Sequence, residues 1–164
     1  MDVAYINPFV EAASTVFKTV LNCNIERRLL SLKKTHAPTY EVSGVIGLSG
    51  KATGAVVLSV SAPVAFKVVE TLLGTHVEEI NPDVVDAVGE LTNMIAGGAK
   101  TALSHLEMSI GLPSIVTGRS HSINFASRVP PICILFDTPW GPMTLEVGLE
   151  TEGADGTGPN LNHN

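Results

Sequence analysis

Asn81-Pro82-Asp83-Val84-Val85-Asp86-Ala87-Val88-Gly89-Glu90-Leu91-Thr92-Asn93-Met94-Ile95-Ala96-Gly97-Gly98 begins a stretch, running on to Leu106, that reads as one long helix. Asn81 suits the N-cap, and Pro82 suits the first helical position, where a missing N–H is no loss. Val84, Val88, Leu91, Ile95, Ala102 and Leu106 recur at helical spacing and form an apolar stripe. At about 100° per residue, Asp86, Glu90, Asn93, Gly97 and Lys100 form a second stripe nearly opposite the first. One face is thus built for burial, while the other presents a carboxylate and a carboxamide. Glu90 and Asn93 are separated by roughly 4.5 Å along the helix axis, so both can reach one small target.

Gly97 and Gly98 interrupt this pattern, since a glycine inside a helix costs about 1 kcal/mol relative to alanine. Gly97 lies on the polar stripe, one turn after Asn93, where solvent tolerates almost any residue. Two reasons for glycine remain open: a partner or ligand approaches closely there, or Gly97 faces a neighbouring element of its own fold.

A length of 164 residues suits one domain with a sizeable core. Hydrophobic residues at 45% and charged ones at 16% fit a compact globular protein and argue against disorder. A formal charge of −6 without a strong basic cluster speaks against nucleic acid as the main partner. Arg27, Arg28, Lys33 and Lys34 are the densest basic group and read as a solvated surface. No apolar run approaches the ~18 residues of a membrane span, and nothing reads as a signal peptide. Cys23 and Cys133 do not suggest a disulfide framework. A cytoplasmic protein is the expectation.

In chain order, Ile6-Asn7-Pro8 opens a helix by the same device as Ile80-Asn81-Pro82, with Phe9, Ala13, Val16 and Val20 as its apolar stripe. The echo hints at an internal duplication, but Val16 and Thr19 stand where Glu90 and Asn93 would be. Residues 24–38, with Ile25, Leu29, Leu30 and Leu32, fit either a strand or a short helix. Residues 41–48 and 54–60 read as two strands joined by a turn at Ser49-Gly50-Lys51-Ala52. Gly50-Lys51 is not a phosphate-binding P-loop, because Val45 replaces its first glycine and Ala52 its Ser/Thr. Ser61 caps a helix over Ala62–Leu73, ended by Gly74. Strands are expected at Gly111–Arg119, Ile123–Val129 and Ile132–Asp137, the last turning through Thr138-Pro139-Trp140-Gly141 into Met143–Leu149. Residues 1–150 form one α+β domain, its long helices packed on a mostly antiparallel sheet. From Thr151 on, residues 151–164 are polar and glycine-rich and read as a disordered tail.

Chemical groups are few. His36, His76, His105, His121 and His163 show no metal-ligand spacing. Ser120 and His121 would point to opposite faces of a strand, which disfavours a nucleophile pair. Met94 and Met108 read as packing residues, and Trp140 either as a partner contact or as a cap over the sheet edge. Glu90 and Asn93 remain.

Asp86-Ala-Val-Gly-Glu90-Leu-Thr-Asn93-Met-Ile-Ala-Gly97 resembles the Asp-x-x-x-Glu-x-x-Asn-x-x-x-Gly signature of the CheC/CheX/FliY phosphatases. Ile6-Asn7-Pro8-Phe9, Val45-Ile46-Gly47-Leu48-Ser49-Gly50 and the closing hairpin at Gly141 extend the likeness over residues 5–149, with CheX nearest because only one polar pair is present. The resemblance implies a phosphatase acting on the phospho-aspartate of a CheY-like response regulator. It casts Asn93 as the residue that positions the attacking water and Glu90 as the partner of the regulator's active-site lysine. Asp86 and Gly97 would extend the docking surface. It implies no cofactor on this chain, Mg²⁺ on the regulator, and a homodimer. A non-catalytic adaptor that binds a receiver domain or a flagellar switch component through the same helix stays open. So does an unrelated enzyme with a pocket in the sheet.

Overall fold

A computed structural model describes residues 3–125, 128 and 130–151. After a short 3₁₀ turn at Val3–Tyr5, helix α1 runs over Asn7–Val20. Strands β1 (Glu26–Leu32), β2 (Val42–Ser49) and β3 (Ala52–Val60) follow, then α2 (Ala62–Leu73) and α3 (Pro82–Ala102). The chain closes with β4 (Ser109–Ile110), β5 (Ser114–Thr117), β6 (Ile132–Thr138) and β7 (Gly141–Thr151). All seven strands join one antiparallel sheet in the order β1-β6-β7-β3-β2-β4, with β5 also paired to β2. Three helices on an antiparallel sheet, in a single domain, match the α+β expectation. Among the described residues, no helix is long and apolar enough to cross a membrane.

Strand alternation decides where the core lies. Val42, Ile46 and Leu48 of β2, Val56, Leu58 and Val60 of β3, Ile134 and Phe136 of β6, and Leu145 and Val147 of β7 share one face, buried with the apolar stripes of the helices. The spacing at Gly44 shows how tightly α3 lies on β2. A β-carbon there would collide with Thr92 Oγ1, whose hydroxyl donates to Val88 O at 2.7 Å.

The opposite face is covered by loops. Lys33 Nζ reaches Glu146 Oε1 at 2.6 Å and Thr39 Oγ1 at 2.8 Å, with the Glu146 side chain only 2% exposed. Ser43 and Ser59 hydroxyls are bonded at 3.0 Å beside them, and Tyr40 N–H donates to Ser59 Oγ.

Several expectations need correction. The long helix ends at Ala102, not Leu106: Leu103 leaves helical geometry, Ser104–Leu106 forms a 3₁₀ turn, and Glu107 is left-handed. Ala102 is exposed, and Ala99 fills its place in the core. Asn81 caps α3 as expected, accepting from Val84 N–H at 3.0 Å. Asn7, by contrast, lies inside α1 without a capping bond, so the two helices do not start alike. Ser61 stands at the N-cap of α2 with no side-chain bond, and Glu41 Oε2 instead accepts from Ala62 N–H at 3.2 Å. Residues 24–38 contain strand β1. The strand expected over 111–119 is broken, and none begins over Ile123–Phe125; Ala126, Ser127 and Val129 lie outside the described residues. Thr151 pairs with Ala52 at the end of β7, so it belongs to the sheet, while residues 152–164 lie outside the described residues.

Candidate active site on the third helix

Helix α3 holds the polar stripe at a fixed orientation because its other side is gripped by the core. Val84, Val88, Leu91, Thr92, Ile95 and Ala99 are buried against β2 and the flanking helices. Asp86 and Glu90 are exposed, and Asn93 and Gly97 are half-buried on the outward side. The four predicted site residues therefore share one face. Asp83 stands in the first turn and Lys100 in the last, complementing the helix dipole and leaving the middle of the stripe acidic.

Among the described residues, the Glu90 carboxylate and the Asn93 carboxamide make no hydrogen bond or ion pair within the chain. Each keeps its full hydrogen-bonding capacity for another molecule: acceptor oxygens on Glu90, both donor and acceptor on Asn93. A pair on consecutive helical turns, roughly 4.5 Å apart along the axis, can engage two groups of one small site.

The glycines divide cleanly. A β-carbon at Gly97 would meet nothing within 4 Å, so Gly97 opens onto free space and does not face a neighbouring element of its own fold. Gly98 is the packing glycine, since a β-carbon there would lie 3.1 Å from Ala12 Cβ of α1. Gly89 forms a third, with Ile115 Cδ1 and Pro113 Cγ at 3.5 and 3.7 Å from a β-carbon placed on it.

Among the described residues, no group of three or more His, Cys, Asp or Glu side chains could hold a metal ion. Trp140 packs on the core at the hairpin end and, with Pro63 and Phe66 of α2, lines a groove of about 480 Å³. A second hollow of about 490 Å³ lies on the far side, between Leu32–His36 and Phe125, Pro130 and Pro131. Neither includes Glu90 or Asn93.

The family model for the chemotaxis phosphatase CheX matches residues 42–137, which span β2 through β6 and include all of α3. The chain belongs to the CheX family. CheY-P phosphatase CheX of Thermotoga maritima is 27% identical over 126 residues, covering 75% of this chain and 81% of that one. A CheC-like superfamily protein from Shewanella sp. PV-4 superposes with a TM-score of 0.83 at 33% identity, covering 92% of this chain and 99% of the other. CheX of Borrelia burgdorferi, solved in complex with CheY, BeF3 and Mg²⁺, shares the fold with a TM-score of 0.77 at 23% identity, covering 91% of this chain and 99% of that one.

Sequence reasoning misses the segment that flanks the site. Gly111-Leu112-Pro113 reads as part of a strand, yet it stands between β4 and β5 and rests on Gly89. The Gly-x-Pro interruption is the signal that could have exposed the break.

Proposed function

We propose that this CheX-family chain hydrolyses the phospho-aspartate of a CheY-like response regulator, with Asn93 positioning water and Glu90 docking the regulator's lysine. The observation that carries this reading is the outward-facing pair of exposed Glu90 and half-buried Asn93, free of internal partners, on one face of a helix locked to the core. The name of the Thermotoga maritima relative, a CheY-P phosphatase, supports the substrate.

An acyl phosphate is already reactive, so catalysis here is a matter of placement. The Asn93 carbonyl accepts a hydrogen bond from water, its NH₂ donates nearby, and neither brings charge that would repel the phosphoryl oxygens. An amide has no useful basicity, so Asn93 orients and does not abstract a proton. Glu90 meets an ammonium by a charge-assisted bond that sets the angle of the docked regulator. Asp86 and Gly97 extend that surface, the first with charge and the second by leaving room for close approach. Mg²⁺ belongs to the regulator, where it neutralises the phosphoryl group.

The same reading includes a homodimer in the cytoplasm. Strand β1 suits self-association: it is an edge strand exposed along its whole length, with Leu29 60% and Leu32 58% exposed. Sedimentation of the wild type against Leu30→Lys tests this, and a wild type that sediments as a monomer contradicts it.

An adaptor using the same helix would bind a receiver without turnover. Phosphate release from phosphorylated receivers, with and without catalytic amounts of this protein, separates the two. Acceleration supports the phosphatase; binding without acceleration supports the adaptor.

A further inference from the structure

Leu112 is 91% exposed, more than any other large apolar side chain among the described residues. A lone surface leucine needs no explanation in itself. Its setting gives it meaning. The outer strand of the sheet is interrupted there: β4 pairs with Leu48 and Ser49, β5 pairs with Val42 through Val45, and Gly111-Leu112-Pro113 stands between. Both ends of the interruption are pinned. Gly111 N–H donates to Gly47 O at 2.9 Å, and Pro113 sits over Gly89 of α3. The proline ring also fixes its own backbone torsion. The loop that carries Leu112 is thus anchored on both sides of it, and little backbone freedom is left to lose when something covers the side chain. Irregularities in edge strands often re-aim side chains next to functional sites.

The Gly89 contact locates the loop relative to the polar stripe. On a helical wheel, Asn93 lies about 40° around from Gly89 and one turn further on, Asp86 about 60° around, and Glu90 about 100°. Pro113 therefore flanks the Asn93–Asp86 edge of the stripe, and Glu90 occupies the other edge. The stripe itself offers charge, one amide and a glycine, but almost no apolar area to hold a complex together.

We propose that Leu112 is a docking residue, covered by an apolar patch on the response regulator beside its phospho-aspartate pocket. This rests on the phosphatase reading above. The loop supplies adhesion on one side of Asn93, and Glu90 supplies ionic orientation on the other. The two contacts differ in salt response, because burial of a leucine is insensitive to ionic screening while the Glu90 contact is weakened by it.

The test is steady-state phosphate release from a phosphorylated CheY-type receiver by the full chain, comparing wild type, Leu112→Ala and Leu112→Asp, at low and high salt. Thermal melts and sedimentation are run on each. The expected result is a KM raised several-fold by alanine and roughly tenfold or more by aspartate. The alanine effect should be equal at both salt concentrations, with kcat at saturation, melting temperature and sedimentation unchanged. An active wild type with an unaltered KM in Leu112→Asp overturns the docking role and leaves the phosphatase reading standing. A wild type inactive on every receiver overturns the reading on which the role rests. A lowered melting temperature with a proportional fall in kcat makes Leu112 structural, and a changed sedimentation coefficient assigns it to contact between copies of this chain; either overturns the proposal.

Discussion

Two adjacent glycines in one helix turn serve different ends. Gly98 faces Ala12 of α1, with a prospective β-carbon only 3.1 Å from Ala12 Cβ, whereas Gly97 faces open space. The helical period puts Gly97 on the outward stripe but cannot say what stands across from it, because a neighbour's position is a tertiary fact. Gly97→Ala should therefore stabilise the fold by about 0.5–1 kcal/mol through helix propensity and a less flexible unfolded chain. Along Gly97→Ala, →Leu and →Gln, thermal melts should hold while phosphate release declines with side-chain size. Loss of stability already at alanine would contradict the open-face reading. Gly44→Ala should behave oppositely, costing about 1–3 kcal/mol, because Thr92 is buried, β-branched and bonded to Val88 O and cannot step aside. Urea denaturation of both variants reads the contrast directly. Cys133 offers a chemical check on the far side of the sheet. Its thiol is pushed up to about 11, chiefly by burial and further by the Glu146 carboxylate. Only roughly one thiol in a thousand is then ionised at pH 8, so Cys133 should react with a disulfide reagent far more slowly than free cysteine in the same buffer. Comparable rates would show that solvent reaches the thiol more freely than its burial implies.

Among the elements, those whose apolar residues pack into the core are legible in the sequence. Helix α2 runs over Ala62–Leu73 as read, and β2, β3, β6 and β7 alternate or pack as continuous apolar runs. Strand β1 is ambiguous for a physical reason. Exposed on both faces at the sheet edge, it carries no alternation to read. The break at 111–113 has a local signal in Gly-x-Pro, but the placement of Pro113 on α3 is a contact between segments distant in sequence and is not legible. The Lys33–Glu146 pair is also hidden. A glutamate inside a strand reads as outward-facing, and its burial depends on chain segments folding over the sheet, among them the one that brings Lys33 and Thr39 to its carboxylate. That pair makes an element-level prediction. Lys33→Met should cost about 3–5 kcal/mol, since it leaves Glu146 buried without its partner, and Glu146→Leu added to it should recover most of the loss. Chemical denaturation of the single and double variants tests this; a single variant as stable as the wild type would mean that water reaches Glu146.

For the molecule as a whole, the fold separates two tasks. One face of the sheet carries the apolar core and, through α3, the polar stripe; the other is closed by loops over a small polar cluster. The Asn-Pro start of α3, the Glu-x-x-Asn spacing and the strand-rich remainder bring the architecture and the candidate pair within reach of the sequence. The flank formed by Leu112 and the true end of α3 at Ala102 depend on packing and are not. The role of Asn93 in positioning water is decided by single-turnover phosphate release from a phosphorylated receiver at saturating wild type or Asn93→Ala, with receiver affinity measured on the same samples. The expected result is loss of at least about a hundredfold in the accelerated rate, with affinity and melting temperature nearly unchanged. An Asn93→Ala protein that is folded, binds the receiver and releases phosphate at the wild-type rate would contradict the account.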